Sequence, residues 1–355
     1  MQVHLVSGFL GSGKTTGIQT ACTILLNEGR KVGVITNDQG IRLVDTGYFE
    51  SFSIPNRQVI HGCFCCNYNA LDDTIQSLIE ANNPDVIFAE SVGSCTDIVA
   101  TVMKPLQQYR DDVQVTVSTF ADARLLRMLY VDGKHLFQEE VNYIYQKQLE
   151  EAGILVVSKV DLITDNELSS VKAFLGAKYP QKTVVYVNGT SADNVSQWLN
   201  ILQQQNEKKS TLSSLQIDYD TYGAGEAMLA WLDEELELYS SHITATEDVT
   251  TLADKIYQKI KSNGLAIGHL KFLVDGIHKI SYTATPEEQV QTESKSSSSS
   301  QLLINARIQT SPKVLEDLVG AAIKETEKER DCKIIINSLS SFQPGYPTPT
   351  HRIAD

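Results

Sequence analysis

Residues 8–16 read Gly-Phe-Leu-Gly-Ser-Gly-Lys-Thr-Thr, with both glycines, the lysine and the following hydroxyl of a phosphate-binding loop in place. Residues 2–7 before the loop alternate like a short strand, and residues 16–27 after it have the apolar spacing of a helix. In a loop between such elements, backbone N–H groups and the helix N-terminus point at a polyphosphate. The segment therefore predicts that the chain binds a nucleoside triphosphate.

Each polar side chain of this loop has an expected role. Lys14 is expected to reach the β- and γ-phosphates, and Thr15 to hold Mg²⁺ through its hydroxyl. The predicted nucleotide contacts of the loop are Gly8, Gly11, Ser12, Gly13, Lys14, Thr15 and Thr16.

Two further predicted strands end in acidic residues. Residues 85–90 form a buried strand that ends in Glu90, and residues 34–38 read Val-Ile-Thr-Asn-Asp. Glu90 is expected to bind Mg²⁺ through water or to polarise the attacking water, and Asp38 to approach the metal and phosphates. The N–H of Gly93 is expected to sense the γ-phosphate. Lys14, Asp38 and Glu90 are thus the predicted catalytic residues, and Thr15, Asp38 and Glu90 the predicted magnesium ligands. A cap or turn is the alternative role for Asp38 and for Asp45.

Composition limits the class of protein. The chain has 355 residues, a hydrophobic content of 42% and a net charge of −14. This fits a soluble protein of two domains, and the acidic balance argues against nucleic acid as a partner, since such binding needs a basic surface. Its apolar runs are too short to span a membrane, and no leader precedes the first strand, so we expect a cytoplasmic protein.

The order of elements predicts an α/β fold. Strands are predicted at 31–36, 85–89, 113–120, 154–158 and 183–187, and helices at 70–81, 98–109, 134–150, 166–178 and 192–204. This alternation indicates a doubly wound, mostly parallel sheet of the P-loop NTPase type over residues 1–205. A polar linker is predicted at 206–215, a smaller α+β domain with a possible ferredoxin-like arrangement at 216–342, and an extended tail at 343–355.

A second pattern concerns the base of the nucleotide. Residues 158–161 read Ser-Lys-Val-Asp at a strand end, where GTPases carry Asn-Lys-x-Asp. Asp161 is expected to accept two hydrogen bonds from guanine, and Lys159 to lie along the base. Ser158 replaces the asparagine, so its contact with the base is weaker. A surface turn is the alternative for this segment.

Three of the six cysteines fall within four positions, at Cys63, Cys65 and Cys66. Thiolates bind soft or borderline cations such as Zn²⁺ or Co²⁺, and three sulfurs without a fourth ligand suit exchange and delivery of the metal. A redox pair or packed core cysteines are the alternatives. Cys95 and His61 are further side chains that are expected to approach this region.

Taken together, the phosphate loop, the Cys-x-Cys-Cys run, Glu-x-x-Gly after a strand and Lys-x-Asp resemble the CobW-like metallochaperone GTPases, relatives of the hydrogenase and urease nickel-insertion GTPases. The resemblance covers about residues 1–205. It implies a GTP-dependent protein whose cysteines bind a transition metal and whose nucleotide state controls metal transfer. The implied partner is a client metalloprotein or a cobalt or corrinoid pathway protein, and a homodimer is possible. Slow GTP hydrolysis is expected because no arginine finger is evident.

Three alternatives remain at this point. A P-loop small-molecule kinase would prefer ATP and would not need the cysteines. A plain GTPase switch would carry no metal cargo. A scaffold protein would dock a partner through the acidic stretch at residues 218–237, which has seven acids and no base.

Overall fold

The computed structural model describes residues 1–37, 44–60, 62–206, 212–285 and 296–355. The predicted site residue Asp38, the residue His61 close to the cysteine motif, and residues 207–211 of the predicted linker lie outside these ranges. The described residues form two compact units. The first comprises those within Met1–Gln39, Ser53–Gly225 and Pro347–Asp355, and the second those within Gly40–Phe52 and Glu226–Tyr346.

The strands are β1 (Gln2–Gly8), β2 (Val32–Asn37), β3 (Asn56–Val59), β4 (Val86–Glu90), β5 (Gln114–Asp122), β6 (Ile154–Ser158), β7 (Thr183–Val187), β8 (Leu229–Ser240), β9 (Ile267–Val274), β10 (His278–Thr283), β11 (Ser299–Gln309) and β12 (Cys332–Phe342). The α-helices are α1 (Lys14–Asn27), α2 (Val44–Ser51), α3 (Tyr68–Asn82), α4 (Lys104–Tyr109), α5 (Ala123–Leu126), α6 (Glu139–Glu151), α7 (Asp165–Lys178), α8 (Ala192–Asn206), α9 (Tyr219–Ala227), α10 (Ala245–Ser262) and α11 (Pro312–Arg330). Val99–Met103 and Arg127–Val131 form π-helical turns, and Val160–Leu162 forms a 3₁₀ turn.

The sheet of the first unit has the strand order β3-β2-β4-β1-β5-β6-β7, and all neighbouring pairs are parallel. Strands β1, β2 and β4 are buried along almost their whole length, because helices cover both faces of a parallel sheet. β1 lies near the centre, between β4 and β5, where the direction of chain connection reverses. Ligands of doubly wound sheets bind at such a switch point, beyond the carboxyl ends of the strands. The predicted fold class is confirmed.

The second unit contains an antiparallel sheet with the order β10-β9-β11-β8-β12. In the crossover β8–α10–β9, strand β11 lies between β8 and β9. In the crossover β11–α11–β12, strand β8 lies between β11 and β12. This is the split βαβ arrangement of a ferredoxin-like fold, with β10 added at one edge. Its core consists of apolar side chains of α10, α11 and the sheet.

Two acidic features of the sequence take structural roles in the second unit. Asp45, on α2, forms ion pairs with Lys271 at 2.5 Å and Lys279 at 2.8 Å, and their charges hold the pKa of its carboxyl well below the usual value although burial opposes ionisation. In the acidic stretch, Asp233 and Glu234 are buried, and Asp233 pairs with Arg307 at 2.8 Å. The hypothesis of an acidic docking surface at 218–237 is therefore wrong for this part of the stretch, because these carboxylates face the interior.

Within the part of the chain that the structure describes, no helix has both the length and the apolar content that crossing a bilayer requires.

Candidate functional site: a phosphate loop beside a cysteine cluster

The phosphate loop joins the end of β1 to the start of α1. Gly8 pairs with Phe120 of β5 and has a φ of 130°, and a Cβ there would lie 2.1 Å from the Phe120 carbonyl oxygen. Only glycine fits this position. The buried ammonium of Lys14 donates hydrogen bonds to the carbonyl oxygens of Gly8 at 2.7 Å and Phe9 at 3.2 Å. The loop thus holds a positive charge at its centre, next to the N-terminus of α1.

The structure brings Thr15 and Glu90 together, as the sequence predicts. The Thr15 hydroxyl donates a hydrogen bond to Glu90 Oε1 at 3.0 Å, and both residues are buried. The contact forms because β4, which ends at Glu90, lies beside β1. A hydroxyl and a carboxylate next to a phosphate loop are suitable donors for Mg²⁺. Their assignment to Mg²⁺ stays a prediction.

The predicted base-reading segment follows β6. The buried Ser158 hydroxyl donates to the Ser12 carbonyl at 2.6 Å and approaches the Ala121 carbonyl at 3.3 Å, so it ties the phosphate loop to the sheet. Lys159 has a φ of 58°, and its ammonium lies 3.4 Å from Asp122 Oδ2. Asp161 is exposed, and its carboxylate is therefore accessible to a ligand. The structure thus shows a supporting role for Ser158 that the sequence did not indicate.

Asp122 and Arg124 are site residues that the sequence reasoning missed. Asp122 ends β5, caps α5 and accepts hydrogen bonds from Arg124 at 2.6 and 3.1 Å. Burial opposes its ionisation, but the Arg124 hydrogen bond and the Lys159 charge hold its pKa below the usual value. An acid at the end of a buried strand, two residues before an arginine, is the signal in the sequence. The pair fixes Lys159 beside the phosphate loop.

The three cysteines of the motif lie together between β3 and α3. The sulfurs of Cys63 and Cys65 are 2.7 Å apart, those of Cys65 and Cys66 are 3.7 Å apart, and all three lie within 4.8 Å of one another. Cys63 and Cys65 are buried and Cys66 is half-buried. None of the six cysteines, all of which lie in the described ranges, forms a disulfide bond. Such a group of sulfurs suits a thiophilic cation.

Hydrogen bonds within the cluster favour one shared negative charge. Bonds from Cys65, then from Cys66 and Cys95, hold the pKa of Cys63 well below the usual value. The same contacts with Cys63, Cys66 and Cys95 raise the pKa of Cys65. These contacts therefore favour one thiolate within the cluster. Because thiolate is the form that binds metals, the cluster is prepared for the first metal–sulfur bond.

Asn37, the last residue of β2, holds the segment that carries the cysteines. Its side-chain amide donates to the carbonyls of Val59 at 3.1 Å and Gly62 at 2.8 Å, and its oxygen accepts the Phe64 N–H at 2.9 Å. Asn37 directly precedes Asp38, which is a predicted magnesium ligand. One side chain thus connects the carboxyl end of β2 to the cysteine motif.

The residues 347–355, here called the C-terminal strap, also contact the motif. The Thr348 N–H donates to Cys66 Sγ at 3.3 Å, and the Thr350 N–H donates to the Cys65 carbonyl at 2.9 Å. Arg352 pairs with the buried Asp97 at 2.7 Å. The sequence predicted an extended tail but gave no sign of these partners.

The loop after β4 lies between the two sites. A Cβ on Gly93 would come 2.8 Å from a Leu10 methyl and 3.0 Å from the Leu10 nitrogen, so this loop packs closely on the phosphate loop. The buried amide of Gln148 donates to the carbonyls of Gly93 at 3.0 Å and Cys95 at 2.8 Å. The backbone between Glu90 and Cys95 is thus held against the phosphate loop at one end and reaches the cysteine cluster at the other.

A parallel sheet with a phosphate-binding loop after its central strand, an acid at the end of the adjacent strand and a lysine–aspartate pair after β6 defines a P-loop nucleoside triphosphatase. Residues 2–186 match the nucleotide-binding domain of the CobW/HypB/UreG family. The chain belongs to this family, as its sequence motifs predicted.

Several known proteins are similar to the chain. The zinc chaperone CobW of Sinorhizobium sp is 28% identical over 203 residues, which cover 50% of this chain and 56% of that protein. The zinc chaperone YjiA of Escherichia coli (strain K12) is 28% identical over 199 residues, which cover 52% of this chain and 57% of that protein. The chain spans about half the length of the curated relatives it matches. The crystal structure of HypB from Helicobacter pylori in complex with nickel has a TM-score of 0.44 and 16% identity, and covers 59% of this chain and 90% of that chain.

Proposed function

We propose that this chain is a GTP-dependent metallochaperone that holds Zn²⁺ or Co²⁺ on Cys63, Cys65 and Cys66 and passes it to a client protein or cofactor. GTP·Mg²⁺ binds at the phosphate loop, with Thr15, Glu90 and Asp38 around the metal and phosphates. The observation that carries the proposal is the loop between Glu90 and Cys95, which contacts the phosphate loop at Gly93 and the cysteine cluster at Cys95. The zinc-chaperone names of the similar proteins agree with it.

In this proposal the nucleotide is GTP. The exposed carboxylate of Asp161 accepts hydrogen bonds from the ring N–H and the exocyclic amine of guanine, which adenine does not supply. Lys159, fixed by Asp122, lies between the base and the loop. Hydrolysis is slow, because Arg124 is engaged by both carboxylate oxygens of Asp122 and is not positioned as an arginine finger.

Nucleotide preference tests the first half of the proposal. The wild-type chain should bind GTP more tightly than ATP. In Asp161→Asn the amide should favour xanthosine triphosphate, whose ring carries a carbonyl where guanine has the amine. Asp165→Asn, an exposed acid at the start of α7, is the matched control and should keep the preference for GTP. A preference of the wild type for ATP, with phosphate transfer to an acceptor, would instead establish the kinase alternative.

Metal content tests the second half. Elemental analysis of protein purified with GTP and sub-stoichiometric competing metals should find about one thiophilic metal ion per chain, as a single cluster of thiolates predicts. The Cys→Ser variant at 63, 65 and 66 should contain none and should still bind GTP. Absence of bound metal from both proteins would leave a plain GTPase switch, and equal metal content in both would mean that ligands other than the three cysteines bind the metal.

A further inference from the structure

Cys95 lies outside the Cys-x-Cys-Cys motif but belongs to the same cluster of sulfurs. It is fully buried on the loop after β4, and its thiol is near enough to the side chains of Cys63 and Cys65 to shift the pKa of each. Its backbone is fixed on both sides, since its N–H donates to the Val92 carbonyl at 3.1 Å and its carbonyl accepts from Gln148 at 2.8 Å. Two separate loops thus bring four sulfurs together.

We propose that Cys95 is the fourth sulfur ligand of the metal bound by Cys63, Cys65 and Cys66, so that the loaded cargo site has four thiolates in place of the open three-sulfur site that the sequence predicted. The inference rests on the proposed function, because it adds a ligand to the metal site described there. Each thiol that binds gives its proton to the solvent, and the metal keeps its oxidation state.

The sulfur distances within the Cys-x-Cys-Cys motif are close to what such a site requires. A tetrahedral Zn²⁺ site with bonds of about 2.3 Å places its sulfurs about 3.8 Å apart. The separation of Cys65 and Cys66, 3.7 Å, already fits, and that of Cys63 and Cys65, 2.7 Å, must open by about 1 Å to reach it. Cys95 is not in the group of three sulfurs that lie within 4.8 Å of one another, although it contacts two of them. Metal binding must therefore draw Cys95 towards the group of three sulfurs.

Burial also favours a protein ligand in the fourth position. Cys63, Cys65 and Cys95 are at most 3% exposed, so the inner side of the cluster is shielded from water. Three thiolates complete only three of the four positions that Zn²⁺ prefers. On the inner side of the cluster, the Cys95 sulfur takes the fourth ligand position that a water molecule would otherwise occupy.

The fourth bond gives the metal a mechanical connection to the nucleotide site. Cys95 follows Glu90 by five residues, which span at most about 18 Å when fully extended. A metal that pulls Cys95 towards the other three sulfurs therefore pulls on the loop whose Gly93 packs against Leu10. Metal binding and the shape of the phosphate loop become linked through this segment.

The test is Co²⁺ and Zn²⁺ binding by the reduced full chain. Wild-type protein with Co²⁺ should show the visible bands of a tetrahedral site and sulfur-to-cobalt charge transfer. In Cys95→Ser the charge-transfer intensity should fall by about one quarter, because one of four thiolates is lost. Cys332→Ser, a half-buried cysteine of the second unit, is the matched control and should keep the full intensity. Cys95→Ala, checked by thermal unfolding, replaces the serine variant if that variant does not fold.

X-ray absorption of the Zn²⁺ protein gives an independent count of ligands. Four sulfurs at about 2.3 Å in the wild type, and three sulfurs with one oxygen or nitrogen in Cys95→Ser, would support the inference. Three sulfurs in both proteins, with an unchanged Co²⁺ spectrum, would overturn it and leave the three-cysteine site intact. A wild-type chain that binds neither ion would instead overturn the proposed function itself.

Discussion

At the scale of single residues, the hydroxyl of Ser158 holds the phosphate loop in place. Ser158 donates to the Ser12 carbonyl at 2.6 Å and is buried. Ser158→Ala should weaken nucleotide binding about three- to tenfold, since a buried hydrogen bond contributes about 0.5–1.5 kcal/mol. The loss should be equal for GTP and ATP, because the contact is with the loop and not with the base.

Titration of a fluorescent nucleotide analogue measures this effect. Ser170→Ala, which removes an exposed hydroxyl bonded to its own helix, is the control and should leave the Kd unchanged. A change in the ratio of GTP to ATP affinity in Ser158→Ala would show that Ser158 reads the base directly, as the sequence pattern suggested.

Glu151 gives a pH dependence to the loop that carries Cys95. Burial, and then the charge of Asp97, raise the pKa of Glu151 to about 8, while hydrogen bonds from Thr96 and the Val99 N–H act in the opposite direction. The ammonium of Lys182 is also near and favours the ionised form of Glu151. In the folded state Glu151 therefore keeps its proton up to about pH 8, whereas in the unfolded state it loses this proton near the ordinary pKa of a glutamate.

Because the folded state binds more protons between these two pKa values, its stability must fall as pH rises from about 5 to 8. The unfolding free energy should decrease by about 3 kcal/mol from pH 5.5 to pH 8, the amount that a pKa of about 8 implies. Glu151→Gln should remove this slope. Urea unfolding of both proteins at the two pH values measures it, and parallel profiles would contradict the assignment.

At the scale of elements, the strap at residues 347–355 stabilises the ionised form of a proposed ligand. Contacts with Cys63, and burial, raise the pKa of Cys66. The Thr348 N–H donates to Cys66 Sγ, and this hydrogen bond acts in the opposite direction and lowers the pKa. Thr348→Pro removes the N–H and should weaken Zn²⁺ binding about fivefold, the equivalent of a hydrogen bond of about 1 kcal/mol.

Thr348→Ala is the matched control, because it keeps the N–H and removes the side chain. Competition with a chromophoric zinc chelator compares the two variants with the wild type. Equal loss of affinity in both variants would show that the threonine side chain, and not its backbone N–H, acts on the cluster.

The local pattern of apolar residues was enough to predict most elements of the first unit. β6 and β7 have the predicted bounds, and the helix predicted at 70–81 is α3, Tyr68–Asn82. The helix predicted at 98–109 begins instead with a π-helical turn, Val99–Met103, before α4. Pro105 stands in the first turn of α4 and lacks the N–H that a continuous helix would need there.

At the scale of the whole molecule, the predicted domains are continuous in sequence and the two compact units are not. Residues within 40–52 belong with the second unit, where Lys271 and Lys279 hold Asp45, and the strap belongs with the first, where Asp97 holds Arg352. Each link joins residues more than 200 positions apart. Such pairings depend on three-dimensional proximity and leave no periodic signal in a single sequence. The motifs could therefore be predicted, whereas the contacts of Asn37 and of the strap could not.

The last prediction concerns coupling between the two proposed ligands. If bound metal changes GTP affinity by a given factor, GTP must change metal affinity by the same factor, and a hundredfold change corresponds to about 2.7 kcal/mol. We expect the Kd for GTPγS of the wild-type chain to differ with and without Zn²⁺. Asn37 joins the end of β2 to the cysteine segment by three hydrogen bonds.

Asn37→Ala should therefore reduce the coupling factor without abolishing it, since the loop between Glu90 and Cys95 also links the two sites, while GTPγS and Zn²⁺ each still bind alone. Asn56→Ala, on the neighbouring β3, removes a hydrogen bond to the Ile54 carbonyl and should keep the wild-type factor. A wild-type factor of one would mean that the cysteines and the phosphate loop act independently. A full factor in Asn37→Ala would mean that coupling passes through another route, and the loop between Glu90 and Cys95 is then the segment to alter, since it packs on Leu10 at one end and contacts Cys63 at the other.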